Sequence, residues 1–188
     1  MLANRNLLVT VLILSIAGVS VADDASVNPG YAKWSKFKPG TSITIKSVTE
    51  LMGNSGEVVL RIKLVEVTAD KLVLETTISS TVLGQKTDDP PTRQDVPKKR
   101  PAKTNEDDDD EAFEKAKGEE GTETLKISGI EYKCKWKRVK SSADKAESIL
   151  KIWSCDEIPG GAAKFESTII GGKYPFKSNY EVIEVKKD

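Results

Sequence analysis

The sequence predicts a mainly β protein, an antiparallel meander forming a curved sheet or incomplete β-barrel, with a disordered charged insert in the middle. Three observations carry this reading. Runs rich in Val, Ile, Leu and Thr recur along the chain between Gly, Pro, Asn and Asp turn signals. Within those runs apolar and charged residues alternate, so one face of the sheet is apolar and the other wet. Between residues 85 and 121 the character changes to Pro, Lys and acid.

In chain order, the first candidate is a short helix within 29–37, the one segment ahead of the strands with convincing helical character. Strands follow at 42–51, 56–67 and 71–83, separated by Gly53-Asn54-Ser55-Gly56 and Ala69-Asp70. Val58, Leu60, Ile62 and Leu64 alternate with Glu57, Arg61 and Lys63, and Leu72 and Leu74 with Lys71 and Glu75. The insert at 85–121 holds four prolines between Pro90 and Pro101, the basic cluster Lys98-Lys99-Arg100 and the acidic run Asp107 to Glu111. It buries too little apolar surface to offset the entropy of ordering, so a mobile loop is expected, with a short helical turn over 111–117 at most. Five further strands, at 123–128, 130–139, 148–155, 162–170 and 179–185, bring the expectation to about eight. Pro159-Gly160 suits the central positions of a type II turn, where Gly takes positive φ at little cost. A sheet with one apolar face must close, fold over or take a cover.

The hairpin between residues 130 and 157 has a predictable register. Opposed residues of an antiparallel pair share a constant index sum, and Cys134 with Cys155 gives the same sum as Trp136 with Trp153. That register centres the connection on Asp144-Lys145 and puts two sulfurs and two indoles on one patch. A structural disulfide between Cys134 and Cys155 is the expectation for an exported chain. Free buried thiols are the next reading, and a redox-active pair has the least support, because there is no Cys-x-x-Cys. Trp136, Trp153 and Tyr132 are the candidate ligand-lining residues, against the plainer reading that the indoles fill the core.

The first 22 residues read as a signal peptide. Arg5 precedes an apolar run from Leu7 to Val19, and Ser20-Val21-Ala22 offers a cleavage site. The run is shorter and more polar than a membrane span requires. The expected mature chain, 23–188, is then a single exported β domain, periplasmic or extracellular, with no transmembrane helix. Its charges nearly balance, which gives no case for nucleic acid. Histidine is absent, removing the usual general base and transition-metal ligand. No catalytic residues, metal or cofactor are expected. Asp156, Glu157 and Glu166 read as turn and strand polarity before they read as a glycosidase pair. The acidic run lacks the spacing of an EF-hand loop.

The motifs Trp34-Ser35-Lys36-Phe37-Lys38-Pro39-Gly40-Thr41, Cys134-Lys135-Trp136 and Lys151-Ile152-Trp153-Ser154-Cys155-Asp156-Glu157-Ile158-Pro159-Gly160-Gly161 resemble those of small exported proteins of planctomycete-type bacteria. In outline the strand succession is also similar to the half-barrels of periplasmic lipoprotein carriers. The resemblance implies fold and address. The expected function is a non-catalytic binding or scaffold protein of the periplasm or cell envelope. It would hold an apolar small molecule or lipid, or a segment of another envelope protein, on the concave face. The alternatives are an interaction module acting through its mobile charged loop and, more distantly, a carboxylate-dependent hydrolase.

Overall fold

The structure, a computed structural model, describes residues 27–51, 53–99, 116–143, 146–171 and 175–188. One helix, α1 (Pro29–Trp34), precedes ten strands: β1 (Ser42–Leu51), β2 (Asn54–Val67), β3 (Lys71–Val82), β4 (Gln85–Asp88), β5 (Thr92–Pro97), β6 (Glu119–Ile127), β7 (Ile130–Ala143), β8 (Ala146–Ser154), β9 (Ala162–Gly171) and β10 (Phe176–Lys186). They form one open antiparallel sheet in the order β4-β3-β2-β1-β10-β9-β8-β7-β6, with β5 also pairing β3. The last strand lies between β9 and β1, so two meanders are joined through β10. The predicted signal peptide, the acidic run and most of the possible helical turn at 111–117 lie outside the described residues.

Part of the segment expected to be a loop is strand. β4 and β5 share one edge of β3, Val82 pairing with Gln85 and Thr76 with Thr92. Pro90 and Pro91 stand between them, where the absence of two N–H donors breaks the ladder. β6 likewise begins at Glu119, inside the expected loop. These strands are too polar to announce themselves. Backbone pairing, the ion pairs Arg93–Glu75 at 2.9 Å and Lys71–Asp95 at 2.6 Å, and Val96 packed on the core hold β5 in place.

One end of the sheet is closed. Asn28 caps α1, its Oδ1 accepting from the N–H groups of Gly30 at 2.9 Å and Tyr31 at 3.4 Å. The Tyr31 hydroxyl donates to the Thr68 carbonyl at 2.8 Å, and Trp34 is buried. The Ile158-Pro159-Gly160-Gly161 turn is of the expected type II kind: Gly161 N–H donates to the Ile158 carbonyl at 2.8 Å and Gly160 has φ +81°. A Cβ on Gly160 would stand 3.2 Å from the Trp34 indole nitrogen. The turn lies against that ring, and Ile158 and Pro159 are buried with it.

Strict alternation along the rungs is interrupted between the two halves of the sheet. In β2, β1 and β10 the buried Leu60, Ile62, Ile43, Ile45, Tyr180 and Val182 share one face. The rung on the other face runs Val59, Lys46, Glu181, Lys164, and then arrives at Trp153 and Trp136. By strict alternation Trp153, Cys134 and Tyr132 would lie opposite the first face, yet they are buried in the same core cluster as Ile43, Leu60, Val182 and Trp34. Register shifts between Thr44 and Ile45 against β10, and between Trp153 and Ser154 against β9, accompany the change. A bulge bends a strand and increases its twist, which lets residues of both halves reach one core despite the change of alternation.

Candidate functional site

At the end of the sheet opposite α1, the inner face of the first half changes character rung by rung. Ile78, Leu60, Ile45 and Val182 form an aliphatic rung. The next outward is Ser80, Val58, Ser47, Tyr180, Phe165 and Ile152, in which Phe165 and Tyr180 stack with centroids 5.4 Å apart. Beyond it lie Gly56, Thr49, Ser178, Ser167 and Leu150, and then Leu51, Phe176 and Ile169. Val58, Phe165, Leu150, Ile152, Ile169 and Phe176 are only half-buried. Three of the hydroxyls are occupied within the sheet: Ser47 donates to the Asn179 carbonyl at 3.1 Å, and Thr49 and Ser178 bond each other at 3.2 Å. Small side chains therefore leave room between larger apolar ones, and the buried Ser47 and Ser178 hydroxyls are satisfied. At the rim a hollow of about 400 Å³ is lined by residues including Glu50, Asn54, Thr168, Ile169, Phe176 and Lys177.

The Trp pair forms in the predicted register, Trp136 opposite Trp153. Its surroundings are charged. The Trp153 indole N–H donates to Glu123 Oε2 at 2.8 Å. The Lys151 ammonium lies 4.4 Å from the Trp136 ring centroid and 4.1 Å from that of Trp153, while Lys164 lies 4.8 Å from Trp153. Lys151 also approaches Glu123 at 3.6 Å. The indole bond and then the ammonium groups hold the Glu123 carboxyl below its ordinary value of 4.5. Gly121 opposite Trp136 lets the indole lie on the β6 backbone, since a Cβ there would meet the ring at 2.7 Å. Tyr132, the third candidate, is buried, with Lys187 Nζ 5.5 Å from its ring centroid. Burial first, then Cys155 and Glu157, raises its hydroxyl pKa. Once the register is known, Lys151 and Lys164 follow from it: one lies two residues from Trp153, the other directly across.

The expected disulfide is not what the structure contains. Cys134 and Cys155 are buried free thiols, the pair 4.0 Å apart. β8 ends at Ser154, and Cys155 turns away from the ladder to donate its N–H to the Gly161 carbonyl at 2.8 Å. Burial, with the neighbouring Cys155 second, pushes the Cys134 thiol up to about 12. Such a thiol stays protonated and is a poor nucleophile.

Two of the three carboxylates singled out are held in ion pairs. Asp156 pairs with Lys33 at 3.1 Å, which lowers its pKa, and Glu166 pairs with Lys164 at 2.9 Å. Among the described residues no cluster of three His, Cys, Asp or Glu side chains is placed to hold a metal ion. No described helix is long and apolar enough to cross a membrane.

No family model matches the chain, and no curated protein matches it. Among solved structures it is similar to an exported protein, so described provisionally, with a YmcC-like fold from Bacteroides fragilis. Identity is 9%, the match covers 80% of this chain and 97% of that one, and the TM-score is 0.43. It is also similar to a provisionally described lipoprotein from Parabacteroides distasonis, at 12% identity, 79% and 96% coverage and TM-score 0.39. A provisionally described outer membrane lipoprotein-sorting protein domain from Vibrio parahaemolyticus matches at 10% identity, 85% and 89% coverage and TM-score 0.27. These likenesses concern the course of the chain alone and say nothing of ligand or activity.

Proposed function

We propose that this chain is a non-catalytic exported binding protein of the periplasm or cell envelope, which holds an apolar small molecule, lipid or partner segment on the inner face of its sheet. One observation carries the reading: the gradient from buried aliphatic rungs near α1 to the half-buried Val58, Phe165, Ile152, Leu150, Ile169 and Phe176, set among small hydroxyl side chains, at the far end. α1 packs on β3 and β5, at the closed end, which leaves the outer rungs to another apolar surface. Covering such a surface is favourable at roughly 25 cal/mol per Å². The apolar run at 7–19 supports export. On this reading Trp136, Trp153 and Tyr132 are the packed flank that stiffens the second half, and the ligand lies against Phe165, Phe176, Ile169 and Leu150.

Titration with a fluorescent long-chain fatty acid tests the reading. Saturable binding is expected, weakened about tenfold or more by Phe176→Asp or Leu150→Asp, which corresponds to about 1.4 kcal/mol, while unfolding stays cooperative. Binding unaffected by either substitution, or no saturable binding by the folded protein, would refute it.

A further inference from the structure

We propose that the Tyr180 hydroxyl is the polar anchor of the inner face, so that the ligand is an apolar chain carrying an uncharged oxygen acceptor, as in an ester or ketone carbonyl. The inference rests on the ligand reading above and narrows it to a chemical class. Tyr180 lies on β10, the strand that joins the two meanders, and is 8% exposed. A tyrosine hydroxyl both donates and accepts, and when buried it ordinarily finds a partner. Tyr31 does so although it is only half-buried, its hydroxyl donating to the Thr68 carbonyl. Among the described residues the Tyr180 hydroxyl has no hydrogen-bond partner. Burial alone raises its pKa, and no neighbouring polar or charged group adds to the shift. Tyr132 is buried too, but there Cys155 and Glu157 contribute, so polar groups stand close to it. An unpaired buried hydroxyl costs free energy that a bound acceptor returns.

The surroundings of this hydroxyl give a ligand a path to it. Phe165 stacks on one side of the Tyr180 ring, with 8° between the planes. Across from it on β1 is Ser47, and toward the rim come Ser178 on β10, Thr49 on β1 and Gly56 on β2. These side chains are short, and the three hydroxyls are engaged with the Asn179 carbonyl and with each other. A strip of small residues thus runs from Tyr180 toward Phe176 at the open end. The two aromatics are four residues apart on one strand, roughly 14 Å. A chain lying along the strip covers the half-buried Phe165 and Phe176 and brings its oxygen to the hydroxyl. Between β3 and β8, neither the Tyr180 rung nor the next toward the rim carries a charged side chain. A carboxylate or ammonium buried there would lose its water without gaining a counter-charge. The site therefore selects a neutral acceptor, and a free fatty acid keeps its ionised end at the rim.

Competition against the fluorescent fatty acid tests the anchor. Full-length protein loaded with that probe is titrated with methyl hexadecanoate and, separately, with hexadecane, which offers a chain without the oxygen. Tyr180→Phe should weaken displacement by the ester about fivefold or more and leave displacement by hexadecane unchanged. The carbonyl of carbon-13-labelled ester should absorb at lower infrared frequency on the wild-type protein than on Tyr180→Phe, a difference that a merely structural tyrosine would not produce. Without ligand, Tyr180→Phe should unfold at a slightly higher denaturant midpoint, because it removes an unpaired buried group. A lower midpoint would show that ordered water satisfies the hydroxyl, and would overturn the proposal. Equal displacement by the ester from both proteins would overturn the anchor and leave the ligand reading standing. Failure of the fatty acid to bind at all would overturn both.

Discussion

The two ends of the sheet are made of the same strands yet use their side chains differently. At the α1 end, Trp34, Ile158 and Pro159 fill the space beside a turn whose glycines leave room for the indole. At the other end the same inner face carries half-buried apolar residues beside serines and a threonine, while exposed apolar side chains occur at both ends, Leu83 and Ile170 here and Ile130 and Ile183 at the α1 end. A chain selected only for stability would fill both ends alike. The difference separates what holds the protein together from what it offers to something else.

Mutations should reproduce that division. Trp34→Ala removes the plug of the closed end and is expected to cost about 3–5 kcal/mol, read from the denaturant midpoint. Gly160→Ala, which forces a side chain into positive φ against the same ring, is expected to cost about 1–2 kcal/mol. At the open end the sign reverses: Leu83→Asn should stabilise the fold by up to about 1 kcal/mol, because asparagine tolerates the turn and no buried contact is lost. Similar losses at the two ends would erase the distinction.

Two titrations sharpen the contrast between the first half of the sheet and the packed flank of the second. Glu123 has a lowered pKa when folded, so the unfolded chain binds the proton more tightly. Its contribution is present above the ordinary value of 4.5 and is lost as pH falls below it. Glu123→Gln should flatten the acid limb of the stability profile while leaving the alkaline limb in place. Cys134 runs the other way, its thiol raised from 9.0 to about 12. Stability is full below about pH 9 and declines as pH rises toward 12, since only the unfolded chain readily loses that proton. Native protein should accordingly resist alkylation at pH 8 and react at both cysteines in denaturant.

Much of this architecture is legible in the sequence because local signals agree with it. Two tryptophans equidistant from a polar centre specify the β7–β8 register, Pro159-Gly160 specifies the turn between β8 and β9, and Asn28-Pro29 opens a short helix. β4 and β5 escape detection because they are polar strands stabilised by a neighbour's edge, an effect that no window of their own residues contains. The change of alternation escapes because bulges beside Thr44 and Trp153 carry no distinctive residue, and period-two patterning assumes an uninterrupted register. The disulfide expectation fails by one residue: the strand ends at Ser154, just before the cysteine that pairing alone would place across from Cys134. The outer rungs could be read in part, since Val58 and Ile169 belong to apolar runs, but half-burial follows from which strands adjoin them.

The central claim is that the inner face at the open end receives an apolar molecule or segment. Native mass spectrometry of protein freshly recovered from the envelope, paired with organic extraction, addresses it most directly. The account predicts a species heavier than the bare chain whose added mass is recovered in the extract and is lost in Phe176→Asp. A spectrum showing only the bare chain, unchanged after incubation with lipids and fatty acids, would contradict it.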